Sequence, residues 1–383
     1  MTIPSLQLDL IPISEWLPCQ PPRGPGFGRQ AARWKKLLIA GPCGAESEDQ
    51  LLDTAKQLAA GNHVSLLRAG VWKPRTRPGA FEGNGEEALK WLVTMRKETG
   101  LPFTVEVANT EHVELALKYG CDVLWIGART TVNPFSVQEI ADAVKGTDVP
   151  VLVKNPLNAD VQLWIGALER FNRNGIKKLG AIHRGFHHAV KTQYRNQPLW
   201  EIPIALKAAN KDLPVICDPS HICGRRDILL QVSQKALDLN FDGLMVEVHR
   251  DPATALSDAS QQLTPILFEE MLSKLVVRES TTDDAEFSHT LSTLRQVIDG
   301  IDEEIIQAFA RRMDVVNRIG EFKRDQQVTI LQLDRWLDIL QTRVAAGESL
   351  GLDKDVLVEL CQLLHKASIR RQTEVMNSVP HSK

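Results

Sequence analysis

The sequence predicts an α/β protein, a (β/α)8 barrel followed by an all-helical domain. Three observations carry this expectation. Eight short apolar runs alternate with amphipathic stretches through the first 275 residues, the strand-then-helix rhythm of a barrel. Residues 1–275 hold 20 of the 24 glycines and 19 of the 20 prolines, so turns are concentrated there. Beyond them, apolar side chains recur at three- and four-residue spacing with almost no breaker between them.

Taken in order, residues 1–34 are rich in proline and form an N-terminal extension. The barrel is expected over 35–277. Its strands are LLIAGPC (37–43), VSLLRAG (64–70), FTVEV (103–107) and VLWIGA (123–128), then PVLVKN (150–155), KLGAIHRG (178–185), PVICDPSH (214–221) and GLMVEVH (243–249). Helical patterns such as Glu48–Ala60, Glu86–Glu98, Glu111–Tyr119 and Ile228–Leu239 separate them. An open doubly wound sheet is the alternative, weakened because no GxGxxG follows the first strand. The polar, aperiodic RESTTDDAEFS (278–288) reads as a linker, and 289–383 as the helical domain. There Leu291, Leu294, Ile298, Ile301, Ile305 and Ala308, resumed by Val315, Ile319 and Phe322, mark one helix over about 286–324. Such a helix is ~58 Å long at 1.5 Å per residue. A hundred-residue globule cannot bury it alone, so the chain is expected to dimerise through it. Shorter helices follow near 334–346 and 353–377.

Composition narrows the function. The 383 residues carry 45 Lys and Arg against 48 Asp and Glu, a net charge of −3 with no excess to bind nucleic acid. No apolar run approaches the ~18 residues that would span a membrane. Pro18, Pro21, Pro22 and Pro25 interrupt an N-terminus that lacks the basic-then-apolar opening of a secretory leader. Six scattered cysteines (19, 43, 121, 217, 223 and 361) without a CxxC pair fit free thiols in the cytoplasm.

The ends of the predicted strands carry the chemistry. They bear Cys43, Arg68 with Lys73 and Arg75, Glu106, Arg129, Lys154, Arg184, His221 and Glu247. Strand ends of a barrel face one pocket. Six cations there demand anions, and Arg forks match phosphate and carboxylate, so a polyanionic substrate with two phosphates across two molecules is the simplest counterweight. Solvated surface charge is the ordinary fate of any single Arg, but all six follow apolar strands. Cys43, His221, Glu247 and Asp258 offer thiolate, imidazole and carboxylate to a divalent ion such as Mn²⁺, Fe²⁺, Co²⁺ or Zn²⁺. Cys223 competes as a ligand and ranks lower.

The blocks IAGPCGAES (39–47), RAGVWKPRTRPGAFEG (68–83), WIGARTT (125–131), VKN (153–155), HRGF (183–186), DPSHICGRR (218–226) and GLMVEVHRDPATALSDASQQ (243–262) resemble 3-deoxy-D-arabino-heptulosonate 7-phosphate synthases of the first type, in their smaller β subgroup. The resemblance implies Cys43, His221, Glu247 and Asp258 as metal ligands, with Mn²⁺ first among the candidate ions. It implies Arg68, Lys73, Arg129, Lys154 and Arg184 at phosphoenolpyruvate, and Arg75 and Thr76 at erythrose 4-phosphate, with Lys73 between the two. Glu106 would lie by the reacting carbons and, with Lys154, orient and deprotonate the attacking water. The related octulosonate 8-phosphate synthases, which use arabinose 5-phosphate, carry a Lys-Ala-Asn-Arg pattern where this chain has KPRT.

In the helical domain Arg312 interrupts the apolar stripe, seven residues from both Ile305 and Ile319. A charge there costs several kcal/mol unless paired. Lys323 lies eleven residues on, about 20° around the same face. A polar residue fixing helix register is the alternative. LSTLRQVIDGIDEEIIQAFARRMDVVNRIGEFK (291–323) and CQLLHKASIRRQ (361–372) resemble the all-helical chorismate mutases. That implies Arg295 entering from a partner subunit, Arg312 and Arg335 on carboxylates, Lys323 and Gln372 on the ether oxygen, and Ser368 beside them. Chorismate would rearrange to prephenate. Trp336 and Gln332 depart from the Glu and Asp common there, and a non-catalytic sensor of prephenate or chorismate is the competing class. Either reading leaves room for allosteric control of the barrel, which requires differential binding to two states.

Overall fold

The structure is a computed structural model and describes residues 5–17, 36–75, 79–279 and 281–378. Thr76 and Cys19 lie outside the described residues. The chain divides into two compact units, Met1–Ser280 and Thr281–Lys383.

In the first unit eight strands alternate with helices. They are β1 (Leu37–Gly41), β2 (Leu66–Arg68), β3 (Phe103–Val107), β4 (Val123–Ile126), β5 (Val151–Lys154), β6 (Leu179–His183), β7 (Val215–Cys217) and β8 (Gly243–Glu247). Each pairs in parallel with the next, and β1 pairs with β8, so the sheet closes into a barrel. Helices α1 (Glu48–Gly61), α2 (Gly85–Thr99), α3 (Thr110–Lys118), α4 (Ala128–Thr131) and α5 (Pro134–Ala143) accompany the first half. The second half carries α6 (Val161–Arg173), α7 (Glu201–Ala209), α8 (Pro219–Cys223), α9 (Leu229–Asp238) and α10 (Pro265–Lys274). Polar caps start many of them: Ser47, Asn109, Asn133, Asp160, Asp218 and Thr264 each accept a backbone N–H of the first turn. Strand residues alternate between two apolar layers. Ile39, Leu66, Trp125, Leu152, Ile182, Ile216 and Met245 fill the barrel, while Leu38, Leu67, Val105 and Leu124 pack outward.

The N-terminal extension is partly built into this unit. Leu6 N–H donates to the Ala209 carbonyl and Ile11 N–H to that of Lys177, both at 3.0 Å. Trp16 joins the inner layer and donates its indole N–H to the Ile11 carbonyl at 3.0 Å. It enters beside Gly180, where a Cβ would stand 2.9 Å from the indole. The N-terminal mouth of the barrel is thus stoppered by a side chain that the sequence pattern left without a role.

The second unit is three helices: α11 (Ala285–Asp325), α12 (Leu333–Ser349) and α13 (Lys354–Asn377). The 41 residues of α11 make it about 62 Å long at 1.5 Å per residue. Its C-terminal half packs on α13, where Gly320 lies under Val375 and Arg371 donates to Asn317. Residues 292–311 are exposed throughout, including the predicted stripe at Leu294, Ile298, Ile301 and Ile305. No described helix is long and apolar enough to cross a membrane.

Candidate active site

Closure of the barrel brings the C-terminal strand ends to one cavity. It is lined by Cys43, Arg68, Lys73, Arg75, Glu106, Arg129, Lys154, Arg184, His221 and Asp258. All six predicted cations are among them. Arg68, the last residue of β2, is only 2% exposed and sets Nη2 3.1 Å from Glu247 Oε1. Burial opposes its charge, but Glu247 and Asp218 outweigh that and raise its pKa. Its Nε and Nη1, like Nη2 of Arg75, are buried without a hydrogen-bond partner and call for an acceptor. Lys154, closing β5, reaches Asp218 at 2.7 Å. Arg184 donates to Asn196 at 2.9 Å, and burial pulls its pKa down to about 10. Arg129 is exposed. Lys73 donates to the Cys43 carbonyl and stands 3.1 Å from its Sγ. It sits over Gly70, where a Cβ would collide with Nζ.

Glu106 accepts the indole N–H of Trp125 at 3.0 Å. Its carboxylate occupies the space beside Gly127, where a Cβ would collide with Oε1.

Three of the four predicted metal ligands converge. Donor atoms of Cys43, Glu247 and Asp258 all lie within 4.8 Å of one another. His221 stands at the edge of this group, with Nε2 3.8 Å from Glu247 Oε1 and Nδ1 2.8 Å from Asp218 Oδ2. Burial, with Glu247 beside it, pushes the Cys43 thiol up to about 11, which the nearby Lys73 charge offsets only in part. Burial likewise lowers the pKa of His221 and favours its neutral, ligating form. Burial would raise Asp258, but the charge of Arg195 outweighs it and holds the carboxyl at about 2. Cys223 is outside the group, and burial lifts its thiol to about 12.

Several supporting residues were not found from sequence. Asp218 joins Lys154 to His221 and accepts the His221 backbone N–H. Burial opposes its ionisation, but His221 and Lys154 keep it well below the usual carboxylate range. Arg195 donates to Asp258 at 2.9 Å and to Gln261 at 2.8 Å, and Gln261 donates on to Glu247 at 2.7 Å. Arg226 donates to the carbonyls of Gln262 and Ala259, clamping the loop that carries Asp258. Asp218 lay inside a conspicuous motif, whereas Arg195 lay in an aperiodic loop that gave no signal.

In the helical unit a pocket of about 390 Å³ is lined by Arg312, Lys323, Gln332, Arg335, Trp336, Ser368 and Gln372. Arg312 donates to Ser368 Oγ at 2.8 Å, and Lys323 to the Ile330 carbonyl at 2.5 Å. Burial lowers the pKa of Lys323. Gln372 keeps its Oε1 buried without a partner. Arg335 is largely exposed and pairs with Asp338. Trp336 stacks on His365 with ring centroids 3.9 Å apart. Arg295 is exposed and does not line the pocket of its own chain.

Known proteins resemble both units. The sequence profile of the DAHP synthetase I family matches residues 31–282, and that of chorismate mutase type II matches 294–373. A phospho-2-dehydro-3-deoxyheptonate aldolase of Thermotoga maritima is 32% identical over 238 residues, 62% of this chain and 68% of that protein. A 2-dehydro-3-deoxyphosphooctonate aldolase of Geotalea daltonii is 27% identical over 241 residues, 58% of this chain and 84% of its own. The crystal structure of a Thermotoga maritima DAHP synthase superposes with a TM-score of 0.57 at 31% identity, covering 62% of this chain and 68% of that one. The chain is an enzyme that belongs to the DAHP synthetase I family and carries a chorismate mutase type II domain behind its barrel.

Proposed function

We propose that the barrel condenses phosphoenolpyruvate with erythrose 4-phosphate, and that the helical domain rearranges chorismate to prephenate. The observation that carries the first reading is the gathering of six cations beside a thiol, an imidazole and carboxylates in one cavity. Cys43, His221, Glu247 and Asp258 would hold a divalent ion, Mn²⁺ by preference and otherwise Co²⁺, Fe²⁺ or Zn²⁺. The fit is in the donor set: a thiol and two carboxylates whose donor atoms lie within 4.8 Å of one another, an imidazole at their edge, and Glu247 Oε1 buried without a hydrogen bond. Such an ion supplies Lewis-acid polarisation of the aldehyde carbonyl.

The residues of the chain do the rest. Arg68, Arg129, Lys154 and Arg184 seat the phosphate and carboxylate of phosphoenolpyruvate, and the unpartnered guanidinium nitrogens of Arg68 find their acceptor there. Arg75 and Thr76 take the phosphate of the sugar, with Lys73 between the substrates. These cations offset the repulsion of two anions and fix their approach. Attack by the enol carbon leaves positive character at C2 of phosphoenolpyruvate. Glu106 and Lys154 orient and deprotonate the water that captures it, and phosphate then leaves.

In the helical pocket Arg312 and Arg335 bind carboxylates, Lys323 and Gln372 donate to the ether oxygen, and Ser368 steadies Arg312. Catalysis there is conformer selection plus stabilisation of charge on the breaking C–O bond. The exposed stripe of α11 supports a homodimer in which Arg295 of one subunit completes the pocket of the other. Prephenate held there would inhibit the barrel, and Arg312→Ala should abolish that inhibition. The five described cysteines, free and buried, support a cytoplasmic enzyme.

One assay tests the barrel. Metal-stripped protein is offered phosphoenolpyruvate with erythrose 4-phosphate or arabinose 5-phosphate, each with and without Mn²⁺. Consumption only with erythrose 4-phosphate and metal is expected. Consumption with arabinose 5-phosphate instead would assign the barrel to octulosonate synthesis.

A further inference from the structure

We infer that Trp125 is a positioning residue joining Glu106, Arg68 and Lys154, an inference that rests on the phosphoenolpyruvate reading of the barrel. Trp125 is the third residue of β4, fully buried, and in register with Glu106 on β3 and Leu152 on β5. Its ring belongs to the inner layer of the barrel with Ile39, Ile182 and Met245. For filling that layer Leu or Phe would suffice. Two features of the indole exceed that need. The N–H donates to Glu106 Oε2 at 3.0 Å, and a buried indole N–H needs such an acceptor. The ring also stands 5.2 Å from the Arg68 guanidinium carbon and 5.8 Å from Lys154 Nζ, within the ~6 Å range of a cation–π contact.

The carboxylate is packed on the Gly127 and Trp125 sides and open to the cavity. Glu106 fills the space left by the missing Cβ of Gly127, so the indole N–H selects its orientation. Arg68 and Lys154 are each tied to one carboxylate, Glu247 and Asp218, and both lie against one ring. The quadrupole of that ring attracts both cations without adding a further negative charge beside them. Two effects should therefore separate. The N–H governs Glu106 and hence turnover, whereas the ring governs the two cations and hence phosphoenolpyruvate affinity.

The test replaces Trp125 in the full chain with 3-benzothienylalanine, which keeps the bicyclic ring and puts sulfur where the N–H was. A hydrogen bond to a charged group suggests a fall in kcat of about 10-fold or more. The Kd for phosphoenolpyruvate by calorimetry should stay within about twofold, because the ring face is retained. In a Glu106→Gln background the same replacement should cost nothing further, since its effect passes through that carboxylate. Trp125→Leu should weaken phosphoenolpyruvate binding as well. An analogue protein that turns over like wild type, or that loses equally in the Glu106→Gln background, would overturn the inference. Wild-type protein that neither binds nor consumes phosphoenolpyruvate would instead remove the reading beneath it.

Discussion

The two pockets of this chain are built to different degrees of completion. In the barrel many functional side chains are each held by a neighbouring side chain of the same unit: Arg68 by Glu247, Lys154 by Asp218, Arg184 by Asn196, Glu106 by Trp125, Asp258 by Arg195. In the helical unit Arg335 leans outward to Asp338, Gln372 keeps an unsatisfied oxygen, and Arg295 is absent from the pocket. The difference follows from topology. A closed eight-stranded sheet aims eight strand ends at one axis, so each ligand finds its support within the same chain. Three helices enclose a pocket only partly, and half of α11 lies bare. The first site is assembled within one chain, whereas the second, in the proposed dimer, takes its last cation from another copy.

The sharpest way to break this contrast is at the ion. Cys43→Ala should lower metal affinity and phosphoenolpyruvate consumption together. The expected loss is about 1000-fold or more, corresponding to the several kcal/mol of Lewis-acid stabilisation. Mutase activity should stay within about twofold, since a pericyclic rearrangement needs no metal. Retention of bound Mn²⁺ by the variant, read by plasma emission after dialysis, would sink the ligand assignment.

Next in size is Arg312→Ala. Removing a cation aimed at substrate charge should cut conversion of chorismate to prephenate by about 100-fold or more. The synthase rate should not change. Conversion no faster than the uncatalysed reaction, in wild type and variant alike, would identify the helical domain as a sensor. Trp336, stacked on His365 and already a departure from the resembled family's pattern in the sequence, would then be the residue that separates this pocket from a catalytic one.

These two sites also differ in how far sequence could reach. Apolar runs ending in Arg68, Lys154 or Glu247 were visible because strands of this kind have no packing use for charge. Their partners were not. Asp218 and Lys154 are 64 residues apart in the chain, and only barrel closure brings them together. Trp125 looked like one more core residue, because an indole N–H leaves no trace in a hydrophobic pattern. His221 was expected within the ligand group and stands at its edge, a matter of ångströms that spacing cannot give. In the helical unit the stripe of α11 was legible for the opposite reason. It is a long apolar repeat that this chain does not bury, and such a repeat stays readable whichever molecule covers it.

Dimerisation sharpens the comparison further. Ile301→Glu places a charge in the middle of the bare stripe, where Ile301 is half exposed. Burying that charge without a partner costs several kcal/mol, enough to shift a modest dimer to monomer in light scattering. Mutase activity should then fall by about tenfold as Arg295 is withdrawn, one charge-assisted contact being lost. A dimer that persists with full mutase activity would place the interface elsewhere.

The smallest effect on catalysis, and the most local on stability, is expected at Trp16. Its indole fills the N-terminal mouth of the barrel against Gly180 and the inner layer, at the end remote from the pocket. Trp16→Ala should leave kcat within about twofold, because the strand ends that carry the chemistry remain paired. It should lower the unfolding free energy of the barrel by about 3–5 kcal/mol, the usual cost of deleting a buried Trp side chain. Denaturant melts followed by a barrel signal would show the shift, while the melting of the helical unit should not move. A barrel of unchanged stability would mean that residues 5–17 lie on the mouth without supporting it. Gly180 would then be kept for the close approach of Leu152 and the Pro214 carbonyl, which a Cβ there would meet at 3.0 and 3.2 Å.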